Sequence, residues 1–423
     1  MTRLRDWAHF NPTLLLAQLA LIGFGLVAIS AARPDDLPKQ LITVAVGLVF
    51  TLIGFAPRPT SWLKLGTAFW VLTAFGLLAT LIYGAITNQQ YSRWLPLGPF
   101  KFQFSEMAKI AIILYLASFF SKRGMGFSWL RPIVIVGITS ALVLASPSVS
   151  AAVFMFVLAL VVMFVAGIGW QKMFAILFLA FALAVPTGFM FVQLSPDRFQ
   201  HATDRFDGFM AALRNDPKAS EGYSWQVEKT VAQLEKAGLI GFGPDVPIYP
   251  QGMFAQTTDF VIGAVGHSTG AIGISTVFVM FALILYLGFQ ISSQASELSN
   301  RGMSNERQAN LRAGSVLAAS GTIMIVSQAI VNLGVAIGRL PNTGMTLPFV
   351  SDGGSSMIAC GLAFGWMHRA WRDAQPLERR RERRGMTDRE RRGMTDRERR
   401  GMTDRERRLD GRNSRQYSPT AGD

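Results

Sequence analysis

Residues 12–32 read PTLLLAQLALIGFGLVAISAA and contain no charged side chain. As an α-helix such a run is about 30 Å long, which matches the hydrocarbon core of a membrane. Arg3 and Arg5 precede the run, as basic residues precede a secretory signal peptide. The run is longer than the apolar region of a signal peptide, however, and further apolar runs follow it. The pattern therefore predicts an uncleaved first transmembrane helix.

Similar apolar runs recur along most of the chain and predict about ten transmembrane helices. Half of the 423 residues are apolar and only 16% are charged, which is few for a soluble protein. The predicted spans cover residues 12–32, 40–56, 64–84, 104–120, 132–147, 151–168, 173–194, 260–291, 315–337 and 355–371. We therefore expect an all-α, polytopic integral membrane protein.

The distribution of Lys and Arg predicts the orientation of these spans. Short loops on the cytoplasmic side of a membrane carry an excess of basic residues. If the N-terminus is inside, the inner segments hold most of the basic side chains of the short loops, among them Lys122, Arg123 and Arg301. An even number of spans then places the C-terminus inside as well, so we expect an N-in, C-in topology.

Two segments stand apart from the predicted ten-span domain, which covers residues 1–371. Residues 195–258 form a large outer loop between spans seven and eight, and its stretch SWQVEKTVAQLEKAG predicts a helix that ends at Gly238. Residues 372–423 form an Arg-rich cytoplasmic tail with three tandem copies of RGMTDRER. The repeated glycine and the lack of an apolar face predict a disordered, solvated tail, and the alternative is contact of Arg379–Arg384 with anionic membrane lipids.

The composition excludes several classes of function. The net charge of +14 does not indicate nucleic-acid binding, because no charged stretch interleaves basic and aromatic residues on one face. A single cysteine, Cys360, rules out an intrachain disulfide framework. With four scattered histidines and one cysteine, the sequence predicts no metal site.

The few charges near the span ends cluster on the predicted outer side. Glu106 and Lys109 open the fourth span three residues apart, so both side chains lie on one helical face and can pair. Arg93 precedes them, and Asp259 lies where the outer loop enters the eighth span. Near the last span, residues 338–357 read GRLPNTGMTLPFVSDGGSSM, an irregular stretch that a membrane tolerates only around a cavity or inside protein. These features predict a polar cavity open to the outer face.

Structural roles for the same residues stay open at this point. Glu106 and Lys109 can form an ion pair that serves stability alone. Arg93, next to Trp94, can anchor the chain at the membrane interface. Asp259 can cap the helix that follows it, and the serines of GGSS at 353–356 can do the same for the last span.

Four sequence blocks resemble the SEDS family (FtsW/RodA/SpoVE) in order and spacing. They are SRWLPLGPFKFQFSEMAKIAIILYLASFF (92–120), EKAGLIGFG (235–243), TTDFVIGAVGHSTGAIG (257–273) and VNLGVAIGRLPNTGMTLPFVSDGGSSM (331–357). With the ten-span pattern and the large outer loop, the resemblance covers nearly everything except the tail. The residues of the last block favour the FtsW-like division branch, whereas the short N-terminal segment is more similar to that of the elongation branch.

The resemblance implies a peptidoglycan glycosyltransferase that polymerises lipid II on the outer face of the bacterial plasma membrane. It implies that Asp259 is the catalytic base. Arg93 and Lys109 would bind the diphosphate of the substrate, with Glu106 orienting them. The residues Gln103, Ser105 and Ser355 complete the predicted substrate-binding set.

The same resemblance implies the partners and the location. The expected partner is a class B penicillin-binding protein, a transpeptidase that cross-links the glycan, within the division or elongation machinery. The protein would reside in the plasma membrane and be enriched at the division septum. The reaction requires no cofactor, although a divalent cation can shield the diphosphate.

Four positions depart from the family pattern. Phe104 stands where the family has proline, His267 and Ser268 replace an acidic pair, and Asp352 replaces a tyrosine. Two other functions stay open, because a charged cavity also suits a carrier and because the changes at 267, 268 and 352 suit a protein without activity. One is a lipid II translocase, and the other is a non-catalytic scaffold for division or cell shape.

Overall fold

A computed structural model of the chain describes residues 10–87, 93–97, 100–123, 130–146, 148–179, 209–210, 223–248, 256–301 and 304–375. The tail repeats and much of the outer loop lie outside these residues, as does the predicted seventh span beyond residue 179. Every element below belongs to the unit Met1–Ala374.

The described residues fold into helices and one small hairpin. The helices are α1 (Pro12–Ala32), α2 (Leu37–Phe55), α3 (Pro59–Ile86), α4 (Phe104–Arg123), α5 (Leu130–Ala145), α6 (Val149–Val165), α7 (Trp170–Leu179), α8 (Tyr223–Ala237), α9 (Val261–Ser299), α10 (Asn305–Ala336) and α11 (Gly354–Ala374). A short 3-10 turn, Pro34–Asp36, precedes α2. The strands β1 (Leu95–Leu97) and β2 (Phe100–Phe102) pair antiparallel, with Leu95 opposite Phe102. This hairpin is an addition to the predicted all-α fold, and it leads directly into α4.

Six helical segments within the described residues are long and apolar enough to cross a membrane. They are Pro12–Ala32, Pro34–Phe55, Pro59–Ile86, Phe104–Ser121, Val261–Ser299 and Asn305–Ala336. The helices α5, α6 and α7 are apolar but shorter. The count of ten spans and the N-in, C-in topology stay predictions.

The helices α4, α10 and α11 form the interior of the bundle. Most of their residues are buried, and the buried set includes the large side chains of Trp366 and Phe364. By contrast, α3 exposes a row of apolar side chains that includes Leu72, Phe75 and Ile82. In a membrane such a row faces lipid, so the apolar residues outside and the buried helices inside fit a membrane bundle.

Small residues let α2 and α11 pack backbone against backbone. A Cβ atom added to Gly361 would collide with the carbonyl oxygen of Gly47, and one added to Gly365 would collide with that of Thr51. Close approach through small residues is the usual way in which membrane helices associate. Lipid is as apolar as the side chains, so no hydrophobic effect drives the helices together, and close van der Waals packing does. The contact fixes α11, whose first turn borders the candidate site.

The predicted helix of the outer loop is confirmed. The helix α8 ends at Ala237, and Gly238 follows it with φ +61°. A glycine in this left-handed conformation is a common helix end, because the absence of a Cβ atom removes the steric penalty. The N–H of Gly241 then donates to the carbonyl of Ala237 over 3.0 Å.

Candidate active site

Glu106 and Lys109 form the predicted ion pair in the first turns of α4. Lys109 Nζ lies 2.8 Å from Glu106 Oε2, and only 5% of the Lys109 side chain and 11% of the Glu106 side chain are exposed. Lys109 Nζ also donates to Gln328 Oε1 over 2.8 Å and lies 5.4 Å from the ring centroid of Phe154. Burial removes water from both charges, which costs free energy. The specific partners of the two side chains offset this desolvation cost.

Gln328 on α10 connects this pair to the irregular stretch before α11. Its side-chain N–H groups lie 3.1 Å from the carbonyl oxygen and from Oγ1 of Thr346, and 3.2 Å from Ser356 Oγ. The two hydroxyls are themselves 2.7 Å apart. Gln328 therefore joins α4, α10, α11 and the loop at Thr346 in one buried polar network.

The turn that carries Asp259 is held by backbone contacts. Asn332, one helical turn after Gln328, donates to the carbonyl oxygens of Asp259 over 3.0 Å and Met345 over 2.7 Å. Ser351 Oγ donates to Thr258 O over 2.6 Å, and the N–H of Asp352 donates to Thr257 O over 2.8 Å. These bonds fix the main chain at Asp259 and at the two residues before it, and Asp259 itself is half-buried.

A pocket opens beside the ion pair, between the start of α4, the first turns of α6 and the loop before α11. Its lining residues are Gln103, Ser105, Glu106, Lys109, Ser148, Ala151, Phe154, Met155, Thr343, Gly344 and Met345. One side is polar, and Ala151, Phe154 and Met155 supply an apolar wall. Arg93 reaches its edge, because a Cβ atom added to Gly344 would lie 3.4 Å from Arg93 Nη1.

The structure brings together most of the site residues predicted from the sequence. Gln103, Ser105, Glu106 and Lys109 line the pocket. Arg93 reaches it at Gly344, and Asp259 is linked to it through Asn332 and the pocket residue Met345. Ser355 is buried, and its Oγ accepts a hydrogen bond of 2.9 Å from the N–H of Gln103. It supports the pocket wall and is not among the described lining residues.

The residues that depart from the family pattern each have a structural partner. Asp352 pairs with Lys39, whose Nζ lies 2.9 Å from its carboxylate. The Nε2 atom of His267 lies 3.0 Å from the carbonyl oxygen of Val246, and Ser268 Oγ donates to the carbonyl of Ala264 in its own helix. The ring of Phe104 occupies the space beside Gly76.

The sequence reasoning missed the two amides of the network. Gln328 and Asn332 are neutral, whereas a charge inside a span is the more conspicuous sign of chemistry. The signal was nevertheless present, because the two polar side chains lie four residues apart, and hence on one face, within a predicted apolar span. Among the described residues, no three His, Cys, Asp or Glu side chains gather as metal ligands.

Comparison with known proteins decides the family. Residues 13–375 match the FTSW_RODA_SPOVE family model, described as cell cycle protein. The chain belongs to the FtsW/RodA/SpoVE family. It is accordingly a membrane protein, consistent with its long apolar helices.

Two members of this family with similar sequences carry the same name. The chain is 29% identical over 358 residues to the probable peptidoglycan glycosyltransferase FtsW of Taylorella equigenitalis (strain MCE9), covering 82% of this chain and 91% of that protein. It is 30% identical over 382 residues to the protein of the same name from Haemophilus ducreyi (strain 35000HP / ATCC 700724), covering 84% of this chain and 90% of that protein.

Solved structures of the FtsW/RodA/SpoVE family share the fold. The rod shape determining protein RodA of Thermus thermophilus superposes with a TM-score of 0.60 at 23% identity, over 88% of this chain and 99% of RodA. A second similar chain comes from a structure described as structural coordination of polymerization and crosslinking by a peptidoglycan synthase complex. It superposes with a TM-score of 0.64 at 25% identity, over 87% of this chain and 99% of that chain.

The network around Gln328 makes a first prediction. Gln328→Leu removes the hydrogen bonds to Lys109, Thr346 and Ser356, which are worth about 0.5–1.5 kcal/mol each and more for the charged Lys109. Lys109 keeps Glu106, and the two hydroxyls keep each other. We expect a clearly lower midpoint of thermal unfolding in detergent. Ser327→Ala is the matched control, because its hydroxyl bonds only within α10, to the carbonyls of Ile323 and Met324. Equal midpoints for the two variants would contradict the network.

Proposed function

We propose that the chain is a peptidoglycan glycosyltransferase that polymerises lipid II at the outer face of the plasma membrane. The observation that carries the proposal is the convergence of distant segments on one pocket. The start of α4 brings the buried Glu106–Lys109 pair, and the loop before α11 brings Thr343 to Met345. Asn332 joins that loop to the main chain of Asp259. The names of the similar FtsW proteins support the same activity.

In the proposed reaction Asp259 is the general base. A sugar hydroxyl of the acceptor attacks the anomeric carbon of the donor and loses its proton to the Asp259 carboxylate. The new glycosidic bond forms as the bond from the anomeric carbon to the diphosphate oxygen breaks. That oxygen keeps the electron pair, and undecaprenyl diphosphate leaves. A positioned carboxylate can accelerate such a step about 10²–10⁴-fold.

The cations stabilise the leaving group. Negative charge develops on the diphosphate as its bond to the sugar breaks, and a cation held out of water interacts with that charge more strongly than an exposed one. Lys109 is such a cation, because Glu106, Gln328 and the ring of Phe154 surround it. Arg93 at the pocket edge adds a planar group that can bind two phosphate oxygens at once.

The remaining walls of the pocket suit the rest of the substrate. Gln103 and Ser105 offer polar groups to the diphosphate or the first sugar. The apolar side chains of Ala151, Phe154 and Met155 face the same space and suit the start of a polyprenyl chain. The pocket therefore offers polar groups on one side and an apolar wall on the other, as a ligand with a charged head and an apolar tail requires.

The partner and the location follow from the same assignment. We expect the chain to work with a class B penicillin-binding protein, which cross-links the glycan that it makes. The solved synthase complex, in which polymerization and crosslinking are coordinated, supports this expectation. The FtsW names of the similar proteins favour cell division, and hence enrichment at the septum.

Polymerisation and translocation can be measured on one preparation. The protein is purified with its cognate transpeptidase and given fluorescent lipid II, both in detergent and in proteoliposomes. We expect glycan polymer on a gel in detergent. Movement of lipid II across the vesicle membrane without polymer would contradict the proposal and indicate a translocase. If the protein neither makes polymer nor moves lipid II, the result would contradict the proposal and indicate a scaffold.

A further inference from the structure

The helix α9 is interrupted by a single residue. Gly270 has φ 63° and ψ −162°, whereas the residues on either side of it are helical. In a continuous helix the N–H groups of Ala271 and Ile272 would donate to the carbonyls of His267 and Ser268, four residues earlier. The interruption separates these donors from these acceptors, so four backbone groups need other partners.

Residues 238–243 of the outer loop, which we call the bridging segment, supply all four partners. The N–H groups of Phe242 and Gly243 donate to the carbonyls of His267 and Ser268 over 2.8 and 3.0 Å. In the other direction, the N–H groups of Ala271 and Ile272 donate to the carbonyls of Gly238 and Leu239 over 2.9 and 3.1 Å. The bridging segment therefore makes four hydrogen bonds in place of the two missing helical ones, and each of the four groups has a partner.

The contact requires glycine on both sides. Gly241 has φ +81°, and a Cβ atom on it would lie 2.6 Å from the backbone of Ser268, Thr269 and Gly270. A Cβ atom on Gly270 would in turn collide with the backbone of Leu239. Both collisions are with main-chain atoms, so no change of side-chain rotamer can relieve them.

The interruption defines a short outer half-helix, residues 261–269, that the outer loop holds along its length. The helix α8 packs on it through two glycines, with Thr230 against Gly263 and Leu234 against Gly266. The bridging segment binds its far end. At its near end the half-helix continues directly from the turn that carries Asp259.

We propose that the bridging segment is a positioning element for Asp259, with Gly241 and Gly270 as its positioning residues. The half-helix is joined to the rest of α9 through Gly270, which is not helical, and through the four hydrogen bonds of the bridging segment. Loosening those bonds lets the half-helix tilt, and Asp259 moves with it relative to the pocket. An error of about 1 Å in placing a reacting group can cost about 10²-fold in rate. This inference rests on the proposed glycosyltransferase function.

Gly241→Ala tests the inference, and Gly238→Ala is its matched control. Both glycines have positive φ, 81° and 61°, so alanine is strained at both. Only the alanine at position 241 meets the backbone of α9, because a Cβ atom on Gly238 has no atom within 4 Å. The assay is lipid II polymerisation by the complex with the transpeptidase, with kcat and KM measured separately. Hydrogen exchange of the amides of residues 267–273 reports the bridging contact itself.

We expect Gly241→Ala to speed exchange at residues 267–273 and to lower kcat about tenfold or more with KM little changed. Gly238→Ala should keep most of the turnover and the slow exchange. Faster exchange at unchanged kcat, or equal loss in both variants, would overturn the positioning role. Wild-type complex without any polymer would refute the proposed function, and this inference with it.

If Gly241→Ala does not fold, a second variant, Ala271→Pro, tests the inference in its place. Ala271 is the first residue after the interruption, where proline fits the start of a helix, and its side chain is exposed. Ala271→Pro removes the N–H that donates to Gly238 and places the ring Cδ against that carbonyl oxygen, while the hydrogen bonds of Phe242 and Gly243 stay in place. We expect a smaller loss of kcat with KM again little changed. Unchanged kcat together with faster exchange of Ile272 would overturn the inference.

Discussion

Asp259→Asn is expected to reduce lipid II polymerisation about 10²–10⁴-fold, because an amide cannot take the proton of the attacking hydroxyl. Folding should hardly change. Asparagine has nearly the same shape, the side chain is half-buried, and the contacts of the Asp259 carbonyl with Asn332 are kept. The measurement is the initial rate of glycan formation at matched amounts of folded protein in complex with the transpeptidase.

The control for this substitution is Asp352→Asn. Asp352 lies on a neighbouring loop, and its carboxylate pairs with Lys39, whose side chain is 57% exposed. Ion pairs with an exposed partner contribute about 0–1 kcal/mol, so its loss should leave the rate within a few-fold of wild type. Equal rates for Asp259→Asn and wild type would remove Asp259 from the chemistry.

The pair of Glu106 and Lys109 is expected to give the largest effects on stability. Lys109→Met leaves the Glu106 carboxylate buried without its cation, and Glu106→Gln leaves Lys109 buried without its anion. Breaking a buried pair in this way costs about 3–5 kcal/mol. Each single variant should therefore unfold at a much lower temperature and lose polymerisation.

The double variant separates a structural role from a role in the reaction. Glu106→Gln with Lys109→Met removes both charges, so much of the lost stability should return, as it does when neutral residues replace a whole buried ion pair. Polymerisation should stay lost, since the buried cation is then gone and only Arg93 at the pocket edge remains for the diphosphate. Recovery of both stability and polymerisation in the double variant would show that the pair serves stability alone.

Local patterns allowed the sequence to predict the parts of the site that lie within one element. Glu106 and Lys109 are three residues apart on a helix, and that spacing alone brings their side chains together. The end of α8 at Gly238 followed from the same kind of local rule. The apolar runs likewise predicted the helices, because the length of a span is set by the membrane.

Contacts between distant segments were not predictable in the same way. The bond from Asn332 to the carbonyl of Asp259 and the pairing of residues 238–243 with α9 involve main-chain groups, which every residue carries. The only sequence signature of the second contact is the set of glycines, whose spacing does not reveal the partner. Phe349 is a similar case, since its positive φ of 65° at a buried position is fixed by the packing around it.

The most direct test of the central claim is whether lipid II occupies the pocket beside Lys109. A photoreactive amino acid in place of Thr343, which lines the pocket, is illuminated with radiolabelled lipid II, and the same amino acid in place of Ile337 is the control. Ile337 follows the end of α10 and is 52% exposed, outside the described lining. We expect strong labelling at position 343, weak labelling at 337 and competition by unlabelled lipid II. Equal labelling at both positions, or labelling that unlabelled lipid II does not reduce, would contradict it.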